Sequence, residues 1–186
     1  MRSLWSLAIV LVLLVVFGSG DLKARQVTPE EVRQVLELLR TRSESPSLED
    51  WLRIGPSANR ILVDVANDGR LERVIRLRAL ASLAWFPSRR SEAVLVGRLH
   101  DRRYDSHEKA VAMLALARAF GARMTNEFRD FLGDSDDVAR SGAIRALGLT
   151  GDRRALELLR SHLAREEVKR LRLETEAAIE RLEGGQ

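Results

Sequence analysis

Residues 136–148 read DDVARSGAIRALG, and this stretch decides the fold of the chain. The spacing of its apolar residues predicts a helix, and Asp136 is well suited to cap its N-terminus. Along one stripe, however, the helix carries alanine or glycine, such as Gly142 and Ala143, where a core helix would carry leucine. Glycine costs about 1 kcal/mol of helix propensity relative to alanine. Since small side chains let two backbones approach closely, the stretch predicts that another helix packs directly against it.

The same kind of helix recurs along the chain. Its signature is an alanine followed four residues later by a leucine, at intervals of 33, 31 and 35 residues: Ala79 and Leu83, Ala112 and Leu116, Ala143 and Leu147, Ala178 and Leu182. A second series precedes each member: Leu62 and Ala66, Leu95 and Leu99, Phe128 and Leu132, Leu159 and Leu163. Two interleaved series with nearly the same period predict four helix pairs in tandem, each with a first and a second helix.

Charged residues repeat with the same period in three of the four second helices. Each of these helices sets an acid four residues before a base: Glu72 and Arg76, Asp105 and Lys109, Asp136 and Arg140. This order favours an ion pair along a helix, and it also places the acid at the positive helix N-terminus. The fourth second helix has Leu171 and Thr175 at these positions.

Residues 134–152, DSDDVARSGAIRALGLTGD, resemble the second helix and following turn of a bacterial HEAT repeat. Residues 73–86 and 108–121 resemble weaker copies, and the resemblance extends over residues 56–183, with a degenerate fourth repeat of the kind that often caps a solenoid. The resemblance implies an all-α fold, a right-handed α-solenoid of about four HEAT-like helix pairs. It also implies that the second helices line the concave face and that the three acid–base pairs form a ladder tying neighbouring repeats together.

The N-terminus predicts export. Met1 and Arg2 are followed by an apolar run over residues 4–17 and by Gly18-Ser19-Gly20, the layout of a secretory signal peptide. The run is shorter than the roughly 20 apolar residues of a membrane span. We therefore predict cleavage after Gly20 and a periplasmic or secreted protein, with residues 4–20 as a retained membrane anchor the alternative. Residues 21–55 are expected to form a linker and a helical cap that starts at a Thr28–Glu31 capping box, and residues 184–186 a short tail.

The sequence predicts no enzyme, cofactor or metal site. It contains no cysteine, and its loop histidines His100 and His107 have no third ligand at a suitable spacing. His107-Glu108 resembles the iron-binding dipeptide of HEAT-like deoxyhypusine hydroxylases, but those enzymes repeat it in several units and this chain has it once. Trp51 and Trp85 are isolated and are expected to pack in the core or at helix ends.

The surface charges predict a protein partner. The chain has 31 Lys+Arg against 27 Asp+Glu, a balance that argues against a nucleic-acid binder. The second-helix arginines outside the ladder, Arg73, Arg78 and Arg145, are the candidate partner-binding residues, and a solvated face is the simpler alternative. An acidic protein segment or anionic membrane headgroups would suit them. We therefore expect an exported scaffold; the alternative is a ligand-binding or lyase-like module, since phycobilin lyases also use HEAT-like repeats.

Overall fold

The computed structural model describes residues 26–41 and 46–184, in which every regular element is helical. The predicted signal peptide or anchor over residues 1–20 lies outside the described residues, as do residues 185 and 186 of the tail. Among the helices that are described, none combines the length and the apolar character needed to cross a membrane. The chain divides into two compact units, residues 1–61 and 62–186.

The first unit contains α1 (Pro29–Thr41), α2 (Leu48–Ile54) and the beginning of α3 (Ala58–Asn67). The predicted capping box is present: the backbone N–H of Thr28 donates to Glu31 Oε2 (2.8 Å), and the N–H of Glu31 donates to Thr28 Oγ1 (3.2 Å). Glu31 also accepts a hydrogen bond from the Ser57 hydroxyl (2.6 Å). This carboxylate therefore joins the start of α1 to the turn before α3.

The core of the first unit comes from one face of each helix. Trp51 of α2 is fully buried, as the prediction of core packing required. The apolar face predicted for α1 is buried as well: Val32, Val35, Leu36 and Leu39.

The second unit continues with helices in the predicted order. They are α4 (Arg73–Ser82), α5 (Arg89–His100), α6 (Ser106–Phe120), α7 (Thr125–Arg129), α8 (Asp137–Leu147), α9 (Arg153–Leu163) and α10 (Lys169–Gly184). Three 3-10 turns extend them: Leu83–Trp85 after α4, Gly121–Met124 before α7 and Asp130–Gly133 after α7. The first helices are α3, α5, α7 and α9, and the second helices are α4, α6, α8 and α10. The predicted all-α solenoid of HEAT-like helix pairs is confirmed.

The two periodic series form the buried rows of these helices. All eight alanines and leucines of the second helices are buried, from Ala79 to Leu182. The first-helix series is buried too, except that Leu163 at the end of α9 is half-buried. The period of the sequence therefore follows the core, since the same repeat position meets the same packing in each pair.

The small residues of the opening stretch mark direct contact between second helices. A Cβ atom added to Gly142 of α8 would lie 2.7 Å from Cβ and 2.8 Å from Cα of Ala110 in α6. A Cβ added to Gly148 would lie 2.8 Å from Cβ of Ala178 in α10. Separations below 3.0 Å leave no room for a side chain. The close approach predicted from Gly142 is therefore present, and it recurs at the next repeat.

Candidate functional site

Two of the three acids predicted to pair along their own helices, Asp105 and Asp136, cap those helices instead. The Asp105 carboxylate accepts a hydrogen bond from a backbone N–H in the first turn of α6 (3.0 Å) and pairs with Arg73 of the preceding repeat. The Asp136 carboxylate accepts one from the N–H of Val138 (2.7 Å). The hydroxyl of Ser106, in the preceding repeat, and this N–H lower the pKa of Asp136. Asp105 and Asp136 therefore each connect their helix to the second helix before it.

Two of the three predicted bases, Arg76 and Arg140, also have other partners. Arg76 donates to the backbone carbonyl of Leu71 (2.8 Å). Arg140 donates to the carbonyl of Asp134 (2.8 Å) and to the carboxylates of Asp137 (2.6 Å) and Glu166 (2.9 Å). These arginines thus fasten the turn that precedes their own helix, and Arg140 also reaches the fourth repeat.

The pairs Glu72–Arg76, Asp105–Lys109 and Asp136–Arg140 were predicted to form a ladder that ties neighbouring repeats together, and the ion pairs between repeats that involve these residues are Arg73–Asp105 and Arg140–Glu166. Among the described residues, Asp105 pairs with Arg73, and Arg140 pairs with Asp137 and Glu166, rather than with the residue four positions away on the same helix. The reason is geometric. An acid at the N-cap turns its carboxylate over the first N–H groups of the helix, so it does not extend along the helix face toward the fourth residue. Glu72 holds the N-cap position of α4 without a side-chain cap hydrogen bond.

A further contact between repeats was not predicted from the sequence. Arg98 of α5 is only 4% exposed, and it donates to the carbonyl of Ala66 (2.6 Å) and to Asn67 Oδ1 (2.9 Å). Its guanidinium stacks on Tyr104 at 3.9 Å from the ring centroid. Arg98 therefore satisfies a carbonyl at the end of α3, where the helix leaves its last carbonyls without intrahelical partners. The signal in the sequence was an arginine directly beside the buried Leu99.

The three arginines predicted to bind a partner differ in their surroundings. Arg73 is paired with Asp105, so its charge already serves the contact between the first two repeats. Arg78 is half-buried and interacts with other residues of the chain. Arg145 is exposed on α8, and within the described part of the chain it takes part in no ion pair. Arg145 therefore remains the clearest candidate of the three.

Each second helix presents a row of exposed or half-buried residues opposite its buried row, and we call these rows the open face. The members are spaced i, i+3, i+7 and share one side of the helix. They are Val74, Leu77 and Ala81 in α4, with Trp85 in the turn that follows; His107, Ala110, Leu114 and Arg118 in α6; Val138, Ser141 and Arg145 in α8; and Leu173, Glu176 and Glu180 in α10.

The chemistry of the open face changes from one end of the second unit to the other. The row of α4 is apolar, and Val74 and Trp85 are 49% and 47% exposed. Trp85 lies at the end of the 3-10 turn that extends α4, one of the two locations expected for it, and about half of its surface meets solvent. The rows of α6 and α8 contribute the exposed Arg118 and Arg145, and the row of α10 contributes Glu176 and Glu180.

A cavity of about 590 Å³ lies beside the third and fourth repeats, and its wall includes Arg140, His162 and Glu166. His162 Nε2 lies 3.2 Å from Glu166 Oε2 without an aligned hydrogen bond, and burial lowers the pKa of His162. Burial alone would raise the pKa of Glu166, but the N–H of Val168 and the Arg140 guanidinium lower it. Glu166 and Arg140 mainly satisfy each other, so the cluster serves to join the two repeats.

The described residues contain no group of side chains that could hold a metal ion. His100 Nε2 lies 3.1 Å from a carboxylate oxygen of Glu127, and both side chains are substantially exposed. His107 belongs to the open face of α6.

Residues 101–180 match the family model of HEAT repeats. The match runs from the turn before α6 into α10, within the range of 56–183 that the sequence indicated. A search of curated proteins found no match to this chain. HEAT repeats generally mediate interactions between proteins. Residues 101–180 of the chain therefore form HEAT repeats.

Proposed function

We propose that this chain is an exported, non-enzymatic scaffold or adaptor that binds a protein partner through the open face. The observation that carries the proposal is the pair Arg118 and Arg145, which are exposed on neighbouring second helices and take part in no ion pair among the described residues. Most other arginines near this face are bound to carbonyls or carboxylates, as Arg73, Arg76 and Arg140 are.

The partner that suits this face is an acidic protein segment. Two guanidinium groups on adjacent helices, without an ion pair among the described residues, attract carboxylates and orient them, since arginine binds carboxylates through a planar fork of N–H donors. Arg78 lies one repeat further along, where its half-buried side chain adds positive potential. Anionic membrane headgroups would use the same arginines, so binding to lipid vesicles has to be measured beside binding to protein.

The export part of the proposal rests on residues 1–20 of the sequence. If it holds, the chain begins at Asp21 after processing, or it stays bound to the membrane with the repeats outside the cytoplasm. N-terminal sequencing of the protein from fractionated cells distinguishes these two forms. Soluble cytoplasmic protein with residues 1–20 intact would contradict export.

The partner-binding part is tested by reversing the two free charges. We expect the Arg118→Glu, Arg145→Glu double variant to retain about tenfold less of the co-purifying partner at low salt, because two attractions become repulsions. The difference should shrink at about 1 M salt, where the screening length falls to about 3 Å. The double variant Arg153→Glu, Lys169→Glu is the matched control, since it changes the net charge equally at exposed positions outside the open face.

Equal partner retention by the two double variants, with matching helicity, would remove the open face as the binding surface. Loss of vesicle binding with unchanged protein binding would instead assign the arginines to lipid headgroups. Both variants have to give the same circular dichroism spectrum as the parent chain before the comparison is made.

A further inference from the structure

The open face of α4 is an apolar surface with no charged residue in its row. Val74, Leu77 and Ala81 follow one another at helical spacing, and Trp85 lies in the turn directly after them. A row that runs along one side of a helix from a half-exposed valine to a half-exposed tryptophan without a charged residue is unusual for a solvated surface, where apolar residues are mostly scattered singly. Tryptophan is also a residue type that often dominates the binding energy of protein interfaces.

The next two second helices each add an exposed arginine to the open face, Arg118 on α6 and Arg145 on α8. Arg118 stands six residues after the buried Ala112, and Trp85 stands six residues after the buried Ala79, so the two occupy the same position in successive repeats. The helices α4 and α6 pack on each other, as do α6 and α8. Packed helices have axes about 8–10 Å apart, which puts the α6 arginine about one helix spacing, and the α8 arginine about two, from the apolar row.

We propose that the partner's binding segment is extended and carries an aromatic or large aliphatic side chain that packs on the apolar row of α4. A carboxylate about three residues away meets Arg118, and a second carboxylate about six residues away meets Arg145. These intervals follow from one and two helix spacings divided by about 3.3 Å of extended chain per residue. The inference rests on the proposed function and adds the order of the chemical groups along the partner.

Charge complementarity selects this occupant. A second copy of the chain would bring its own apolar row and its own arginines, so two like rows would place arginine against arginine if they faced each other in parallel. An acidic segment with one apolar anchor satisfies the tryptophan, Arg118 and Arg145 together. Burying the anchor contributes through the area removed from water, while the carboxylates fix the register.

The test is photo-crosslinking of the full chain in its host cells. Three variants carry p-benzoylphenylalanine in place of Val74, Arg145 or Glu157, the last being an exposed position on α9 outside the open face. We expect the probes at positions 74 and 145 to react with the same polypeptide and the probe at position 157 to leave it unlabelled. Mass spectrometry of the adduct at position 74 should show an apolar residue with carboxylates about three and six residues away.

The outcomes separate this inference from the proposed function. Labelling at position 145 without labelling at position 74 would leave a partner-binding face but overturn the apolar anchor. Labelling at position 74 of lipid, of a second copy or of the chain's own N-terminal segment would overturn the proposed occupant. Labelling of a partner at neither position would overturn the proposed function as well.

The peptide recovered at position 74 then gives a quantitative check. Its synthetic copy should bind the Trp85→Ala variant about tenfold more weakly than the parent chain, and the Trp85→Phe variant should recover most of that loss. A copy with glutamine and asparagine in place of its acids should also bind the parent chain about tenfold more weakly, whereas the Arg118→Glu, Arg145→Glu variant should bind the uncharged copy at least as tightly as the acidic one. Full binding of the uncharged copy by the parent chain would contradict the proposed order of groups.

Discussion

Replacing Gly142 by alanine tests whether the second helices of the second and third repeats lie as close in solution as they do in the structure. The added Cβ would lie 2.7 Å from Cβ and 2.8 Å from Cα of Ala110, and 2.9 Å from Cε of Met113. The methionine methyl group can rotate away, but the contact with the backbone atom of Ala110 cannot be relieved by a change of rotamer. The helices α6 and α8 must therefore move apart.

The expected effect has two parts of opposite sign. Overpacking a well-packed core costs about 1–3 kcal/mol, whereas glycine to alanine inside a helix gains about 1 kcal/mol. Gly142→Ala should therefore lower the free energy of unfolding by about 0–2 kcal/mol. Gly97 provides the matched control, because it lies inside α5 and a Cβ added there would meet nothing within 4 Å. Gly97→Ala should raise the free energy of unfolding by about 0.5–1 kcal/mol.

The comparison needs only the difference between the two variants, which we expect to be about 1–3 kcal/mol. Urea denaturation followed by circular dichroism gives both values, and each kcal/mol corresponds to about 2–4 °C in Tm for a chain of this size. If Gly142→Ala stabilises the chain as much as Gly97→Ala does, the close approach of α6 and α8 is refuted.

Three further predictions concern the packed interior and its polar cluster. Ala143→Leu, at a fully buried position of α8, should lower the free energy of unfolding by about 1–3 kcal/mol through overpacking, and a neutral urea melt would contradict the packing around that helix. Glu166→Gln should lower the free energy of unfolding by about 2–4 kcal/mol, because it leaves the mostly buried Arg140 without its main partner. Glu183→Gln, which removes the acid of an exposed pair with Arg160, should lower it by less than about 1 kcal/mol. Similar urea midpoints for the two variants would refute this difference. His162 has a lowered pKa in the folded chain, so the unfolded chain binds more protons just below pH 6.5. The contribution of His162 to stability should therefore be full above that pH and should fall as the pH drops through it. His162→Gln should flatten this part of a stability–pH curve, and an unchanged slope would contradict the assignment.

The fold could be predicted from the sequence because its determinants are periodic. The alanine–leucine series recurs wherever a second helix meets the core, and all eight of its residues are buried. Gly142 carried information of a different kind, since a helix-breaking residue inside a helix requires a steric reason. That reason proved to be the backbone of Ala110.

The polar contacts were harder to predict because spacing alone does not identify a partner. An acid at position i and a base at i+4 fit a pair within one helix, but Asp105 and Asp136 also stand at helix N-termini, where backbone N–H groups compete for the same carboxylate. Both carboxylates cap their helices, while Arg76 and Arg140 bind carbonyls or other acids. Arg98 could not be assigned from the sequence, because its partner is the carbonyl of Ala66 in another repeat.

The open face carries residues that the packing of the helices does not determine. Ala81, Leu114, Arg145 and Glu180 share one repeat position, two residues after the buried alanine, yet they differ in size and charge. The packing of the helices does not dictate these residues, because each is exposed or half-buried while the neighbouring alanine is buried in every repeat. A partner that bound one repeat would contact only one of these four residues. A partner that distinguishes the apolar row of α4 from the basic residues of α6 and α8 must therefore cross three second helices, and an extended segment of about six residues has the length to do so.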